Sequence, residues 1–200
     1  TSNLIKNFEY NNMDSLKVLI EENKNNIACI IMEPIQANGP EQGYLEEIRE
    51  IANANSIILI FDEVVSGFRY SLGGASELYN VTPDIVAIGK GMANGMPISA
   101  VAGKKELLEL IGSDGVFVST TFGGEILSIV AALKTIEILS EKGTYEKIWS
   151  LGNLMRDGLN NLVDKYKLDS VINVSGLAPH CGIIFDGTGN LDYLDINSIY

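Results

Sequence analysis

The stretch Ile85-Val-Ala-Ile-Gly-Lys90-Gly-Met-Ala-Asn-Gly-Met-Pro97 places a lysine between two glycines, directly after a short apolar run. Twenty-eight positions earlier, the stretch Ile57-Ile-Leu-Ile-Phe-Asp62-Glu63-Val64-Val65-Ser66-Gly67-Phe68-Arg69 places two acids at the end of a second apolar run. Short apolar runs bounded by such residues are typical of buried strands. Because ligands collect at the carboxyl ends of strands in an open α/β sheet, we expect Asp62 and Lys90 to reach one sheet edge.

Similar runs and amphipathic segments alternate along most of the chain. Strands are predicted at residues 27–33, 56–61, 85–88 and 98–102, with a further short one at 116–119. Helices are predicted at residues 15–22 (with Asp14 as N-cap), 45–53, 104–111, 125–139 and 145–166. This alternation indicates an α/β fold whose mostly parallel sheet is covered by helices on both faces. Residues 171–185 are predicted to form a β-hairpin beyond a soft domain boundary at 143–168.

The composition excludes several classes of function. The 200 residues carry a formal net charge of -12, which argues against nucleic acid or an anionic membrane as the main partner. No apolar run approaches the ~18 residues of a membrane span, and no signal-peptide pattern is present. There is no CxxC pair, His180 is the only histidine, and Cys29 lies in an apolar run, where a buried thiol is expected. We therefore predict a cytoplasmic protein without a metal site. Both ends break off within patterns, so we expect a piece of a longer protein.

The lysine and the aspartate suit the chemistry of pyridoxal 5'-phosphate. A lysine amine forms a Schiff base with this cofactor, and a carboxylate beside the pyridinium nitrogen keeps the ring an electron sink. The glycines beside Lys90 would let backbone and cofactor approach closely. Each residue also has a plain interpretation, because Asp62 could simply end a strand and most lysines are solvated. Glu63 is expected to be structural, pairing with backbone or a cation, and Val64 could pack on the ring or in the core.

A cofactor phosphate would need hydroxyl and N–H donors, which Ser119, Thr120 and Thr121 offer just before a predicted helix. Ordinary capping is the alternative, with Thr121 or a neighbour as N-cap and Glu125 as the acid of the first turn. A nucleotide-binding Rossmann-like domain is a weaker alternative function. The third glycine, Gly95, comes one residue too late for the dinucleotide fingerprint, and the order of a Walker A loop is missing.

Four segments together resemble the class III (subgroup II) aminotransferases of the fold-type I pyridoxal-phosphate superfamily. They are Glu33-Pro-Ile-Gln36, Phe61-Asp-Glu-Val-Val-Ser-Gly-Phe-Arg69, Gly89-Lys-Gly91 and Ser119-Thr-Thr-Phe-Gly-Gly124, in the family's order and at compatible spacing. The resemblance implies a fold-type I large domain over residues 1–143. It implies the start of a smaller C-terminal α+β domain over residues 144–200.

The resemblance also implies roles for single residues. Lys90 matches the Schiff-base lysine and proton shuttle, and Asp62 matches the partner of the pyridinium nitrogen. Val64 would pack on the ring, and Thr121 would reach the phosphate bound by the other subunit of a homodimer. Glu33 matches an acid that pairs with a substrate-side arginine in several members. The implied reaction transfers an amino group between small-molecule donor and acceptor, or within one molecule.

Two departures from the usual family pattern indicate which branch of the family this sequence resembles. Val65 stands where ornithine- and GABA-type transaminases usually carry a glutamine, and the pattern resembles the branch containing glutamate-1-semialdehyde 2,1-aminomutase instead. The loop from Phe122 to Glu125 is more similar to aminomutase-like transaminases of sugar or polysaccharide pathways. The N-terminal phosphate cup and the C-terminal arginine of the family have no counterpart here. A non-catalytic fragment or pseudoenzyme of the same fold therefore stays an alternative.

Overall fold

A four-stranded sheet in the order β1-β2-β3-β4 organises the first part of the chain. Its strands are β1 Cys29–Met32, β2 Ile58–Glu63, β3 Ile85–Ile88 and β4 Ala100–Gly103. The first three run parallel, and β4 pairs antiparallel with β3. The computed structural model describes residues 4–36, 38–112, 116–121 and 123–185. They fall into two compact units, the first containing residues up to 35 and 40–141, the second residues 36–39 and those from 142 onwards.

Helices flank the strands in the first unit. They are α1 Met13–Glu22, α2 Tyr44–Ala54, α3 Gly74–Leu78, α4 Lys105–Leu108 and α5 Ile126–Leu139, and a 3-10 turn spans Lys90–Met92. Side chains of β1 and β2 that point to α1 and α2 are buried, and Leu59 and Phe61 are fully so. The core comprises Leu16, Ile20, Ile30, Met32, Tyr44, Leu45, Ile48, Ala52, Ile57, Leu59, Phe61 and Val81. The sheet thus has one well-buried face in the described residues.

Strand alternation corrects the prediction for Cys29. Buried and exposed residues alternate along β1, so Ile30 and Met32 enter the core while Cys29 and Ile31 are exposed. Successive side chains of a strand point to opposite faces, and Cys29 is on the face turned away from α1 and α2. The apolar run was correctly recognised as a strand, but its composition does not say which face is covered.

Three local predictions were also wrong in detail. Asn12, not Asp14, caps α1, because the Asn12 side chain accepts the N–H of Ser15 at 3.1 Å. Residues 116–119 form no strand, and only Val116 makes an isolated bridge, to Ile111. The strand predicted over 56–61 runs on to Glu63. The last of these places both acids inside β2 rather than behind it.

The second unit consists of a long helix and the predicted hairpin. Helix α6 spans Thr144–Tyr166, and strands β5 Ile172–Ser175 and β6 Gly182–Phe185 pair antiparallel, which confirms the hairpin. A Cβ on Gly152 of α6 would collide with the carbonyl of Ala178, so only glycine permits this contact with the 3-10 turn Ala178–His180. Residues 186–200 of the predicted small domain lie outside the described residues. Every helix of the described part is too short or too polar to cross a membrane.

Candidate active site

The carboxyl ends of β2 and β3 bring Asp62 and Lys90 to one edge of the sheet. In the parallel register, Asp62 lies opposite Ala87 and Glu63 opposite Ile88. Lys90 follows two residues after Ile88 and opens the 3-10 turn. The structure therefore juxtaposes the two segments as the sequence analysis expected. This edge is where an open parallel sheet receives its ligand.

The two side chains at this edge retain capacity for a ligand. The half-buried Asp62 accepts one hydrogen bond, from the N–H of Val64 to Oδ1 at 3.1 Å. Its Oδ2 has no partner among the residues the structure describes. The Lys90 amine is exposed and forms no ion pair or hydrogen bond with any described residue. Lys104, by contrast, pairs with Asp84 at 2.7 Å.

The backbone of Lys90 has an unusual conformation. Its φ is 20°, in the positive region that side-chain-bearing residues rarely adopt. Such a conformation persists only where the neighbouring structure holds it in place. Val64 lies close by, since a Cβ built on Gly89 would be 3.7 Å from Val64 Cγ1. The Val64 side chain therefore lies near the residue that precedes the lysine.

Gly91, the glycine after Lys90, serves packing between two strand-end loops. A Cβ on Gly91 would lie 3.0 Å from the carbonyl oxygen of Gly67, a separation tighter than ordinary contact. The turn after β2 therefore rests directly against the residue that follows Lys90. From the sequence, the glycines beside Lys90 were expected to let the cofactor approach, and no role was predicted for Gly67. The available signal was a glycine in both strand-end segments, the pattern expected where two backbones approach closely.

Glu63 has the structural role that was expected of it, with backbone groups rather than a cation as partners. Its side chain is 1% exposed and accepts hydrogen bonds from the backbone of Ala75 and Ser76 at the start of α3. The hydroxyls of Ser66 and Ser76 complete its surroundings. These two neighbouring residues of β2 therefore have different roles. Asp62 lies toward the open edge of the sheet, and Glu63 is buried and accepts hydrogen bonds from the start of α3.

Thr121 lies in an exposed hydroxyl-bearing segment before α5, and Phe122 lies outside the described residues. The N-cap of α5 is Glu125, which accepts the N–H groups of Leu127 at 2.8 Å and Ser128 at 2.7 Å. Ser128, through its side chain and its N–H, lowers the pKa of the Glu125 carboxyl most, followed by the N–H of Leu127. Neither Thr121 as N-cap nor Glu125 inside the first turn was therefore correct. Two of the N–H groups that an anion could have used here, those of Leu127 and Ser128, are therefore occupied.

Glu33 follows β1 directly and is exposed. Because β1 and β2 run parallel with Met32 opposite Phe61, Glu33 lies at the same sheet edge as Asp62. The described residues include no group of three His, Cys, Asp or Glu side chains placed to hold a metal ion. The edge therefore offers two carboxylates and an amine, with Val64 as an apolar neighbour.

This set of groups fits pyridoxal phosphate. An amine without a protein partner can attack the cofactor's aldehyde, and a carboxylate oxygen without a partner can accept the ring N–H. A phosphate near α5 would have to use the hydroxyls of Ser119, Thr120 and Thr121, because Glu125 occupies the helix start. The groups at the sheet edge thus match the ring and aldehyde of the cofactor better than the hydroxyls before α5 match its phosphate.

Comparison with known proteins points to one family. Residues 3–193 match the family model described as Aminotransferase class-III. The glutamate-1-semialdehyde 2,1-aminomutase of Methanococcoides burtonii is 38% identical over 192 residues, which are 94% of this chain and 45% of that protein. The protein of the same name from Methanosphaera stadtmanae is 40% identical over 190 residues, 92% of this chain and 44% of its own length.

Solved structures show the same fold. The ornithine aminotransferase of Toxoplasma gondii ME49 superposes with a TM-score of 0.77 at 26% identity, over 90% of this chain and 43% of its own. An omega-transaminase from Sphaerobacter thermophilus gives a TM-score of 0.74 at 29% identity, over 84% of this chain and 40% of its own. The chain thus spans less than half the length of these proteins. The predicted fold class is confirmed.

Proposed function

Because the chain belongs to the class III aminotransferase family, we propose that it supplies the lysine and aspartate of an active site that transfers amino groups. The predicted family resemblance and enzyme class are confirmed, and so is pyridoxal phosphate as the family's cofactor. One observation carries the proposal: the register of β2 and β3 brings Asp62 to the same sheet edge as the Lys90 amine, which has no partner among the described residues. The activity itself, its substrates and its partners are proposals for the longer protein.

Each residue of the edge has a separate chemical task in this proposal. When bound, the cofactor supplies an aldehyde for amines and a ring that withdraws electrons from the substrate. Lys90 Nζ would hold the cofactor, and the same amine would move a proton at the substrate α-carbon. Asp62 accepts the ring N–H and keeps that nitrogen protonated. Val64 packs against the ring.

The role of Lys90 is tested by chemical trapping in the full-length protein. Borohydride reduction should fix the cofactor on Lys90, as peptide mapping by mass spectrometry would show. Lys90→Ala should lose at least about 100-fold in turnover, because general acid–base groups contribute that much or more. Lys105→Ala is the control, since Lys105 is 84% exposed and makes only a 3.5 Å pair with Glu109. A label on Lys104 or Lys105 would refute the assignment.

Two reactions remain within this proposal. The relatives named glutamate-1-semialdehyde 2,1-aminomutase and the pattern around Val65 favour transfer within one molecule. The departure at 122–125 favours transfer between two molecules. Incubation with glutamate-1-semialdehyde alone separates them, since an aminomutase needs no second amino donor. Absence of conversion until such a donor is added would support the intermolecular aminotransferase.

The remaining roles complete the proposal. Thr121 contacts the cofactor phosphate of the partner subunit in a homodimer, and Glu33 pairs with a substrate-side arginine elsewhere in the longer protein. In this proposal residues 1–143 are the cofactor-binding domain, and residues 144–200 begin the smaller domain. A cytoplasmic location stays a prediction from composition. A non-catalytic homologue of the same fold would give no borohydride-trapped lysine.

A further inference from the structure

Glu63 is the most buried charged residue that the structure describes, at 1% exposure, yet it pairs with no described cation. One oxygen accepts the N–H of Ala75 at 2.6 Å and the hydroxyl of Ser66 at 3.0 Å. The other accepts the N–H and the hydroxyl of Ser76 at 3.1 and 2.9 Å. A carboxylate is tolerated at such depth only when donors replace its lost hydration. Here four donors do so.

These donors require a side chain that accepts hydrogen bonds at both of its terminal atoms. All of them point N–H or O–H toward the carboxylate, and the two N–H groups cannot reverse. A Cβ on Gly74 would collide with Glu63 Oε2, so the chain at the start of α3 is closely fitted around the carboxylate. An amide in its place would direct an NH2 group at fixed N–H donors. The surroundings therefore distinguish glutamate from glutamine although the two have the same shape.

The fitted carboxylate is connected to the lysine by short contacts. Ser66, one of its donors, belongs to the turn after β2, and Gly67 in that turn donates its N–H to the Glu63 carbonyl at 2.8 Å. A Cβ on Gly67 would lie 3.1 Å from Ile88, so the turn also packs on the last residue of β3. The Gly67 carbonyl in turn limits Gly91, the residue after Lys90.

We propose that Glu63 is a positioning residue that holds the 64–67 turn against Gly91 and thereby fixes the positive-φ backbone of Lys90. This inference rests on the proposed role of Lys90. The carboxylate does not touch the reacting atoms. It acts through the 64–67 turn. Ser66 and Gly67 are hydrogen-bonded to Glu63, and the same turn packs against the residue that follows Lys90. Without the hydrogen bonds from this turn to Glu63, the Lys90 amine would move away from the position that its proposed chemistry requires.

The test compares Glu63→Gln with Glu77→Gln in the full-length protein. Glu77 lies in the same helix α3 and likewise accepts a backbone N–H, that of Gly73 at 2.6 Å, but it is exposed. The readouts are the rate at which added pyridoxal phosphate becomes borohydride-trappable on Lys90 and the pH midpoint of the visible absorption band. A displacement of about 1 Å costs roughly 100-fold in such chemistry, so we expect trapping at least about tenfold slower in Glu63→Gln. Glu77→Gln should match the unmodified protein.

A second pair of variants covers the case in which Glu63→Gln does not fold. Ser66→Ala removes the donor within the turn, and Ser76→Ala removes a donor on the other carboxylate oxygen, away from the turn. Slower trapping and a shifted midpoint in Ser66→Ala, with little change in Ser76→Ala, would support positioning. Lower melting temperatures with unchanged trapping and midpoint would overturn it and leave Glu63 merely structural. An unmodified protein that shows no label on Lys90 would overturn the proposed function, and this inference with it.

Discussion

At the scale of single residues, Asp62 and Glu63 show how one strand end serves two purposes. Alternation along β2 sends the two carboxylates to opposite faces, so Asp62 meets the open edge while Glu63 is enclosed. We expect Asp62→Asn to slow the single-turnover half-reaction by about 100-fold, the usual effect of removing one electrostatic group, with substrate affinity little changed. Stopped-flow absorbance measures both. Asp14→Asn in α1 is the control. A near-normal single-turnover rate in Asp62→Asn would show that Asp62 has only a structural role.

At the scale of elements, Asp84 joins a helix and three strands of the first unit. Just before β3, it accepts the N–H of Leu59 in β2 at 2.7 Å, Arg49 of α2 at 2.9 Å and Lys104, after β4, at 2.7 Å. Burial by itself would raise the pKa of the Asp84 carboxyl. Lys104, the N–H of Leu59 and Arg49 outweigh that effect and lower it.

The lowered pKa makes this junction sensitive to acid. Its contribution to stability is complete above the pKa of an unfolded aspartate and is lost as pH falls through the lower folded pKa. We expect Asp84→Asn to reduce the free energy of unfolding by about 3 kcal/mol at pH 7, because it leaves Arg49 and its buried surroundings without the charge. The difference in free energy of unfolding between Asp84→Asn and the unmodified protein should become smaller as pH falls below about 4.

Urea unfolding of both proteins between pH 3 and pH 7 measures this. Glu47→Gln, which breaks the exposed 2.6 Å pair with Lys17, is the control and should change stability little at any pH. A deficit for Asp84→Asn that does not vary with pH would show that its charge is not what stabilises the junction.

At the scale of the whole molecule, exposed apolar side chains of α5 favour further contacts in the longer protein. Ile126 is 76% exposed, Leu127 61% and Leu133 64%, more than a solvated helix normally shows. With the proposed role of Thr121, this supports a homodimer with shared sites. Mixing Lys90→Ala with Thr121→Ala subunits should then restore activity, because one of the two heterodimer sites carries neither change.

The recovery should approach about half of the unmodified activity per heterodimer, since one of two equivalent sites works. Mixing Lys90→Ala with Asp62→Asn provides the control. Both residues lie at the carboxyl ends of neighbouring strands of one subunit, so every site keeps one defect and no recovery is expected. Verified heterodimers of the first pair without recovery would place Thr121 in its own subunit's site.

Much of the fold and the sheet edge was predictable because the signals are local. Apolar runs identified β1, β2 and β3, helical spacing identified α5 and α6, and the order of strands and helices indicated the parallel sheet. The predictions failed where a neighbour decides. Cys29 is exposed because no described element covers its face of β1. Glu125 is the N-cap of α5 because its carboxylate accepts two backbone N–H groups at the start of the helix.

By itself, the amino-acid sequence determined that an aspartate and a lysine come at the ends of two apolar runs, and through its motifs it determined the family. Only the tertiary structure decided the register that sets Glu63 opposite Ile88, the contact of Gly67 with Gly91, and the enclosure of Glu63 at the start of α3. The physical reason is that backbone N–H or carbonyl groups take part in each of these contacts. Every residue except proline carries both groups, so glycines such as Gly67 and Gly91 indicate only that backbones can come close, and residue type does not say which groups pair.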